Sequence, residues 1–300
     1  MKTMFIINPI SGKGKGSRPF KMIRHIHKTF TRARVEFAIR IWDHPDRLGH
    51  LISEAISEKF EVVVAVGGDG TINDIGKRLV GTGIALGIVT IGSGNGYARH
   101  LGYSLRQKKA IRQLLNSYPV EVDTGNFGGI PFMNNAGIGI DAFVAEKFSK
   151  SRRRGLQTYV KLASKAVLEY ETFDATLIVD GKRRYDCKEV MLMDIANGPN
   201  WGGGAVIAPL STISDGWLEA VIWEKSAFVS FPNLVMLLFR GKIYRHPSIK
   251  IIRGKTFEIT RSRSGEAHVD GEAVKLGCII SANVIEKSVR LLVPQHKEAV

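Results

Sequence analysis

Short apolar runs alternate with longer, helically patterned segments through the first third of the chain. Residues 4–7, 62–66 and 84–91 are apolar and rich in β-branched side chains, the pattern of buried strands, and residues 35–41 read as a further strand. Residues 20–30, 47–59 and 72–80 carry apolar side chains at the three- and four-residue spacing of a helix with one buried face. Strand, loop and helix in repeated succession predict a doubly wound parallel sheet with its ligand loops at the carboxyl ends of the strands. From residue 120 the period shortens to two, in segments 120–127, 132–136, 175–179, 190–196, 217–223, 257–260 and 267–269. That change predicts a second, mainly antiparallel domain. The expected division is 1–122 and 123–286, with the last apolar stretch, 288–293 within the end segment 287–300, returning to the first domain.

The strand ends carry the candidate chemistry. Val62–Val66 runs into Gly67-Gly68-Asp69-Gly70-Thr71-Ile72-Asn73. Glycines admit a ligand to the backbone, and free amides at a helix N-terminus suit phosphate. Asp69 would repel that phosphate unless a divalent cation lay between them, so the stretch suggests a Mg–nucleotide site. A tight glycine-rich turn is the plainer alternative. The first strand ends in Asn8-Pro9-Ile10-Ser11-Gly12, which lacks the Gly-Lys-Ser/Thr ending of a Walker loop. The fourth ends in Gly92-Ser93-Gly94-Asn95-Gly96-Tyr97, where Tyr97 breaks the dinucleotide fingerprint.

Charge narrows the partners. Among 300 residues, 43 Lys and Arg against 28 Asp and Glu leave +15, which points to nucleic acid, anionic lipid or an anionic cofactor. One acid-free basic run spans 147–165 and another, 239–255, holds Arg240, Lys242, Arg245, Lys250, Arg253 and Lys255. Beside the second lie Phe228, Phe231, Leu234, Met236, Leu237, Leu238 and Phe239, which suit an acyl-chain cleft or simply core. No apolar stretch is long enough to span a bilayer, so no transmembrane segment is expected, and a membrane would be met from its surface. Cys187 and Cys278 lack metal or redox spacing, which, with no signal peptide, predicts a cytoplasmic protein. His25, His27, His44 and His50 read as surface residues.

Gly-Gly-Asp-Gly-Thr resembles the signature shared by diacylglycerol kinases, sphingosine kinases and NAD kinases. The later motifs resemble the first two of these lipid kinase families in order along nearly the whole chain. They are Gly92-Ser93-Gly94-Asn95, Asp123, Phe132 to Asp141 with its Gly-x-Gly-x-Asp ending, Asn197-Gly198 through Ala208-Pro209 to Asp215-Gly216, and Asp270-Gly271-Glu272. The resemblance implies an α/β nucleotide domain of the NAD kinase/diacylglycerol kinase type and an antiparallel β-sandwich. It implies ATP and Mg²⁺, with Asn8, Pro9, Ser11, Gly12, Gly67, Gly68, Asp69, Gly70, Thr71, Asn73, Ser93, Gly94 and Asn95 at the nucleotide. Asp69 and Asp123 would serve the catalytic metal, and Asp215 with Thr212 and Trp217 a structural one. Glu272, with Asp270 second, would be the catalytic base, acting with Asp69. The acceptor would be a lipid hydroxyl at an anionic membrane surface on the cytoplasmic side, and a homodimer is allowed. Ile41 and Gly96 depart from the family pattern at a nucleotide contact and a metal-linked contact. A soluble NAD kinase-like enzyme and a basic nucleic-acid-binding protein are the alternatives; no nucleic-acid motif supports the latter.

Overall fold

A computed structural model describes residues 1–11, 17–91, 95–141, 169–202, 204–225 and 230–295. The chain forms two units, Met1–Val122 with Lys287–Val300, and Asp123–Glu286. The first is built on a parallel sheet of β1 (Thr3–Ile7), β2 (Phe37–Ile41), β3 (Val62–Gly67) and β4 (Ala85–Thr90) in the order β4-β3-β1-β2. β1, β3 and β4 are buried throughout, whereas every residue of the outermost strand, β2, is partly exposed. In register, Val63 stands between Met4 and Leu86.

Helices α1 (Ser17–Arg32), α2 (Arg47–Ser57), α3 (Asp69–Leu79), α4 (Gly96–His100) and α5 (Gln107–Leu114) accompany the strands. α2 buries Leu48, Leu51, Ile52 and Ala55, one face of a helix by spacing. Phe30 of α1 meets Phe5 of β1 edge-on at 4.9 Å between ring centroids, a favoured aromatic geometry. α3 begins at Asp69. The motif's carboxylate therefore belongs to the first turn of the helix rather than to the loop before it, where its charge meets the positive end of the helix dipole.

β5 (Ser117–Phe127) leads into the second unit, followed by β6 (Ile130–Phe132), β7 (Asn135–Gly139), β8 (Phe173–Val179), β9 (Arg183–Ala196), β10 (Asn200–Gly202), β11 (Ala205–Val206) and β12 (Leu218–Glu224). After α6 (Phe231–Phe239) come β13 (Ile249–Gly254), β14 (Thr256–Arg261), β15 (Gly265–Val269), β16 (Glu272–Leu276) and β17 (Ile279–Pro294). The antiparallel order is β16-β15-β7-β9-β8-β14-β17, and β12 pairs with β9 and β13. β9 is central: Val190, Met193 and Ile195 enter a core with Phe132, Leu177 and Ile259, while Met191, Leu192 and Ala196 enter another with Ile140, Trp223 and Leu238. Burial on both sides explains why 190–196 is almost continuously apolar instead of alternating.

The end of β17 lies parallel to β4, with Arg290 opposite Ala85 and Leu291 opposite Leu86. Of the apolar stretch near the second basic run, Leu234, Leu237 and Leu238 are core, whereas Met236 and Phe239 are exposed. Phe228 and the basic run 147–165 lie outside the described residues.

Candidate active site

In the first unit β1 and β3 stop side by side, Ile7 opposite Val66, and the loops that leave them interlock. The Asn8 amide N–H donates to the Val66 carbonyl at 3.0 Å. Its side-chain Nδ2 donates to Thr71 Oγ1 at 3.1 Å, and Ser11 Oγ lies 3.1 Å from the same hydroxyl. Asn8 Oδ1 accepts the Ile10 N–H at 3.0 Å, so the side chain bends its own loop over the start of α3. Pro9 lies between these contacts, and Asn73, two residues beyond Thr71, is buried. Gly67 is required by packing, because a Cβ there would lie 2.4 Å from Thr71. Gly70 is exposed and a Cβ there would meet nothing within 4 Å. At Gly70, unlike Gly67, packing does not account for the glycine.

Asp69 fastens a second loop. Its Oδ2 accepts the Asn95 N–H at 2.7 Å and its Oδ1 the Gly96 N–H at 2.9 Å. Asn95 reaches this position with φ at +56°, a conformation asparagine tolerates better than most residues. Burial raises the Asp69 carboxyl above its ordinary pKa, against the opposing pull of the Asn95 and Gly96 amides and Arg99. A carboxylate offers about four lone-pair sites, so these amides leave acceptor capacity that suits a hydrated Mg²⁺ through its waters, since this ion sheds water reluctantly. Gly96 contributes its amide, a contact that needs no side chain. Ile41 ends β2 opposite Ile7. Gly12, Ser93 and Gly94 fall outside the described residues.

In the second unit Asp270 and Glu272 part company. Asp270, at φ +52°, accepts backbone N–H bonds from Met133 at 2.9 Å, Asn134 at 2.8 Å and Asn135 at 3.3 Å. Its acceptor sites brace the 133–135 strand entry. Glu272 opens β16 and is exposed, and its side chain has no hydrogen-bond or ion-pair partner among the described residues. Of the two, Glu272 is the carboxylate that no described donor engages.

Asp123, 1% exposed, accepts the Gly216 N–H at 2.7 Å and its amide donates to the Ile213 carbonyl at 2.7 Å. It thus anchors the turn containing Asp215. Asp215 itself accepts the Trp217 N–H at 3.1 Å and forms an ion pair with Arg253. The Arg253 guanidinium lies 5.2 Å from the Trp217 ring centroid, Lys255 Nζ 5.5 Å from it, and Thr212 is exposed. A dication at Asp215 would take the place of the Arg253 guanidinium. Where the resemblance implies a structural metal held with Thr212 and Trp217, the structure pairs Asp215 with Arg253.

A buried ionic cluster, not anticipated as a unit, lies under the Asp270–Glu272 turn. His268 Nε2 is 2.5 Å from Asp141 Oδ2 and 3.2 Å from Asp194 Oδ1, and Asn135 Nδ2 donates to Asp194 at 3.2 Å. The Gly271 N–H lies 3.4 Å from His268 Nδ1, a contact that is a hydrogen bond only when the imidazole is neutral. Although burial pulls the imidazole pKa down, Asp141 and then Asp194 carry it up to about 10. Burial raises the Asp194 carboxyl. Two ligands on one tetrahedral zinc stand about 3.3 Å apart, so the 2.5 Å approach of Nε2 and Oδ2 fits a direct ion pair better than a bound zinc. The signal was present: Asp194 is the lone charge in the apolar run 190–196, and a buried charge requires a partner.

Comparison with known proteins agrees with this architecture. Residues 2–127 match the model of the diacylglycerol kinase catalytic domain, and residues 134–293 the YegS C-terminal NAD kinase beta sandwich-like domain. A diacylglycerol kinase of Mycobacterium tuberculosis is 24% identical over 306 residues, covering 98% of this chain and 96% of that protein. A diacylglycerol kinase of Bacillus subtilis is 25% identical over 276 residues, covering 90% and 89%. A crystal structure of a diacylglycerol kinase from Bacillus anthracis superposes with a TM-score of 0.75 over 98% of this chain and 97% of that one at 19% identity, a likeness of fold. With both of its units matched by the family's own domains, the chain belongs to the bacterial diacylglycerol kinase and YegS-like lipid kinase family.

Proposed function

We propose that the protein transfers the γ-phosphate of ATP to the hydroxyl of a membrane lipid, diacylglycerol being the first acceptor to test. The observation that carries this reading is the pair of interlocked loops at the carboxyl ends of β1, β3 and β4. They bring Asn8, Ser11 and Thr71 together at the amide end of α3, a polar setting suited to phosphate. Asp69 holds the 95–96 backbone in place and can hold a hydrated Mg²⁺. When bound, the ion offsets charge on the transferring phosphoryl oxygens. Glu272 orients the acceptor hydroxyl and takes its proton late, because an alcohol is a far weaker acid than a carboxylic acid. Asp270 keeps the turn in shape. Peripheral association with an anionic membrane fits the +15 charge, and among the described residues no helix is long and apolar enough to cross a membrane.

Labelled ATP, Mg²⁺ and a panel of lipid alcohols in anionic mixed micelles test this reading, with NAD as the soluble competitor. Transfer to at least one lipid is expected. Glu272→Gln should lower turnover by roughly 10²–10⁴-fold with nucleotide affinity unchanged, and Asp69→Ala should abolish transfer. Undiminished turnover by Glu272→Gln would remove the base from the mechanism, and phosphorylation of NAD alone would replace the acceptor.

A further inference from the structure

The cations between residues 239 and 255 are not equivalent. Lys250 pairs with Glu224 at 2.7 Å, Arg253 pairs with Asp215, and Lys255 pairs with Glu286 at 2.6 Å. Arg240, Lys242 and Arg245 are exposed and have no carboxylate partner among the described residues. The unneutralised charge of the run is therefore concentrated at its start, against the end of α6.

That end of α6 also exposes apolar surface. Leu234, Leu237 and Leu238 enter the core, whereas Met236 is 42% exposed and Phe239 43%. With Arg240 they fall within an arc of about 100° on the outward face of the helix. Gly241, at φ +63°, then turns the chain: its N–H donates to the Leu238 carbonyl at 3.3 Å, and the Lys242 N–H to the Leu237 carbonyl at 2.8 Å. This paired closure fixes the turn after the helix. Ile243 is buried beneath it, while Tyr244 is 45% exposed, with the Arg245 guanidinium 5.8 Å from its ring centroid. Two apolar side chains, an aromatic with a polar tip and three cations thus share a surface held rigid by a buried helix face and a capped turn.

We propose that this surface, the outward face of α6 with the turn after it, is the foot by which the protein docks on an anionic lipid bilayer. Arg240, Lys242 and Arg245 meet headgroup charge, and Met236, Phe239 and Tyr244 enter the interface. The combination favours a bilayer over nucleic acid, because exposed Met and Phe have no counterpart on a phosphate backbone, whereas interfacial sites combine basic with apolar and aromatic side chains. The inference rests on the lipid kinase reading for its biological sense, but docking needs neither nucleotide nor turnover and is tested without them.

Full-length protein is sedimented with phosphatidylcholine vesicles, with and without phosphatidylglycerol. The triple change Arg240→Gln, Lys242→Gln and Arg245→Gln should weaken binding to the anionic vesicles on the order of 100-fold, from the usual effect of a basic side chain near an anionic leaflet. The matched triple Arg184→Gln, Lys188→Gln and Lys250→Gln removes equal formal charge from side chains already ion-paired with Asp186, Asp174 and Glu224. It should change binding less than about threefold, since those charges are already offset by their carboxylate partners. Phe239→Trp should gain fluorescence quenched by brominated lipid, relative to wild type. Equal losses in the two triples, fluorescence of the Phe239→Trp variant that brominated lipid leaves unquenched, or duplex DNA binding lost in parallel with vesicle binding would each overturn the proposal. Kinase assays on a short-chain lipid alcohol in neutral detergent keep the two readings separate. A protein that docks through this surface but phosphorylates no lipid retains the foot and loses the function, and the converse loses only the foot.

Discussion

Replacing Gly67 with alanine would put a methyl 2.4 Å from the Thr71 side chain, whereas at Gly70 a methyl would meet nothing within 4 Å. The first change forces Thr71 away from Asn8 and Ser11 and should cost about 1–3 kcal/mol, as overpacking usually does. Gly70→Ala should leave stability unchanged or raise it by up to about 1 kcal/mol, since alanine suits a helix better. It should nonetheless weaken nucleotide binding if the α3 terminus meets phosphate. Denaturant unfolding and nucleotide titration separate these effects, and Gly70→Ala binding nucleotide like wild type would remove that role from Gly70. Two glycines that look alike in sequence thus differ in function, because one faces a neighbouring side chain and the other solvent. Asp69 is legible as functional from its motif. Its bonds to Asn95 and Gly96 are not, because the acceptors and donors lie 26 and 27 residues apart.

Among the elements, β7, β9 and β15 are cross-braced by the Asn135–Asp194–His268–Asp141 cluster as well as by their backbone ladders. His268 keeps its proton to about pH 10 when folded, against 6.5 as a free side chain. Its raised pKa gives a contribution that is complete below pH 6.5 and lost as pH rises toward 10. The raised Asp194 carboxyl acts in the same direction at lower pH. Wild-type unfolding free energy should therefore fall across pH 6.5–10 by up to a few kcal/mol, and His268→Gln should flatten that limb. A parallel decline in both proteins would remove the cluster as its cause. Because Asp270 and Glu272 follow His268 on the same strand and turn, the brace also holds the candidate base steady. The apolar pattern of 190–196 marks β9 as a buried strand, yet only pairing shows that it stands between two cores.

At the scale of the whole molecule, connectivity matters as much as composition. The first unit is discontinuous: β17 supplies its strand beside β4, and the Tyr103 hydroxyl donates to the Leu292 carbonyl at 2.8 Å. A fragment of residues 1–122 would leave the β4 edge unpaired and Leu291, which is wholly buried, would be missing. Such a fragment should self-associate or unfold, because open apolar strand edges recruit other chains. Gel filtration and calorimetry of the fragment beside the full chain test this, and a monomeric, cooperatively melting fragment would show that β17 is dispensable. The net charge of +15 indicates an anionic partner, but it does not say which cations face that partner. Ion pairs with Glu224, Asp215 and Glu286 withdraw half of the 239–255 run, and only placement shows it.

Local patterns were sufficient wherever the physics is local. Continuous β-branched runs, helical spacing, the switch to period two and the ordered glycine–carboxylate motifs determined the two-part α/β and antiparallel architecture and the lipid kinase family, since each depends on neighbours within a few residues. Tertiary structure alone decided which carboxylates remain open to chemistry. Asp270 is engaged by three backbone amides, Asp215 by a guanidinium, and Glu272 by none of the described residues. The reason is that a side chain's availability is set by the donors brought against it from distant parts of the chain, and those distances are fixed only when the strands pair.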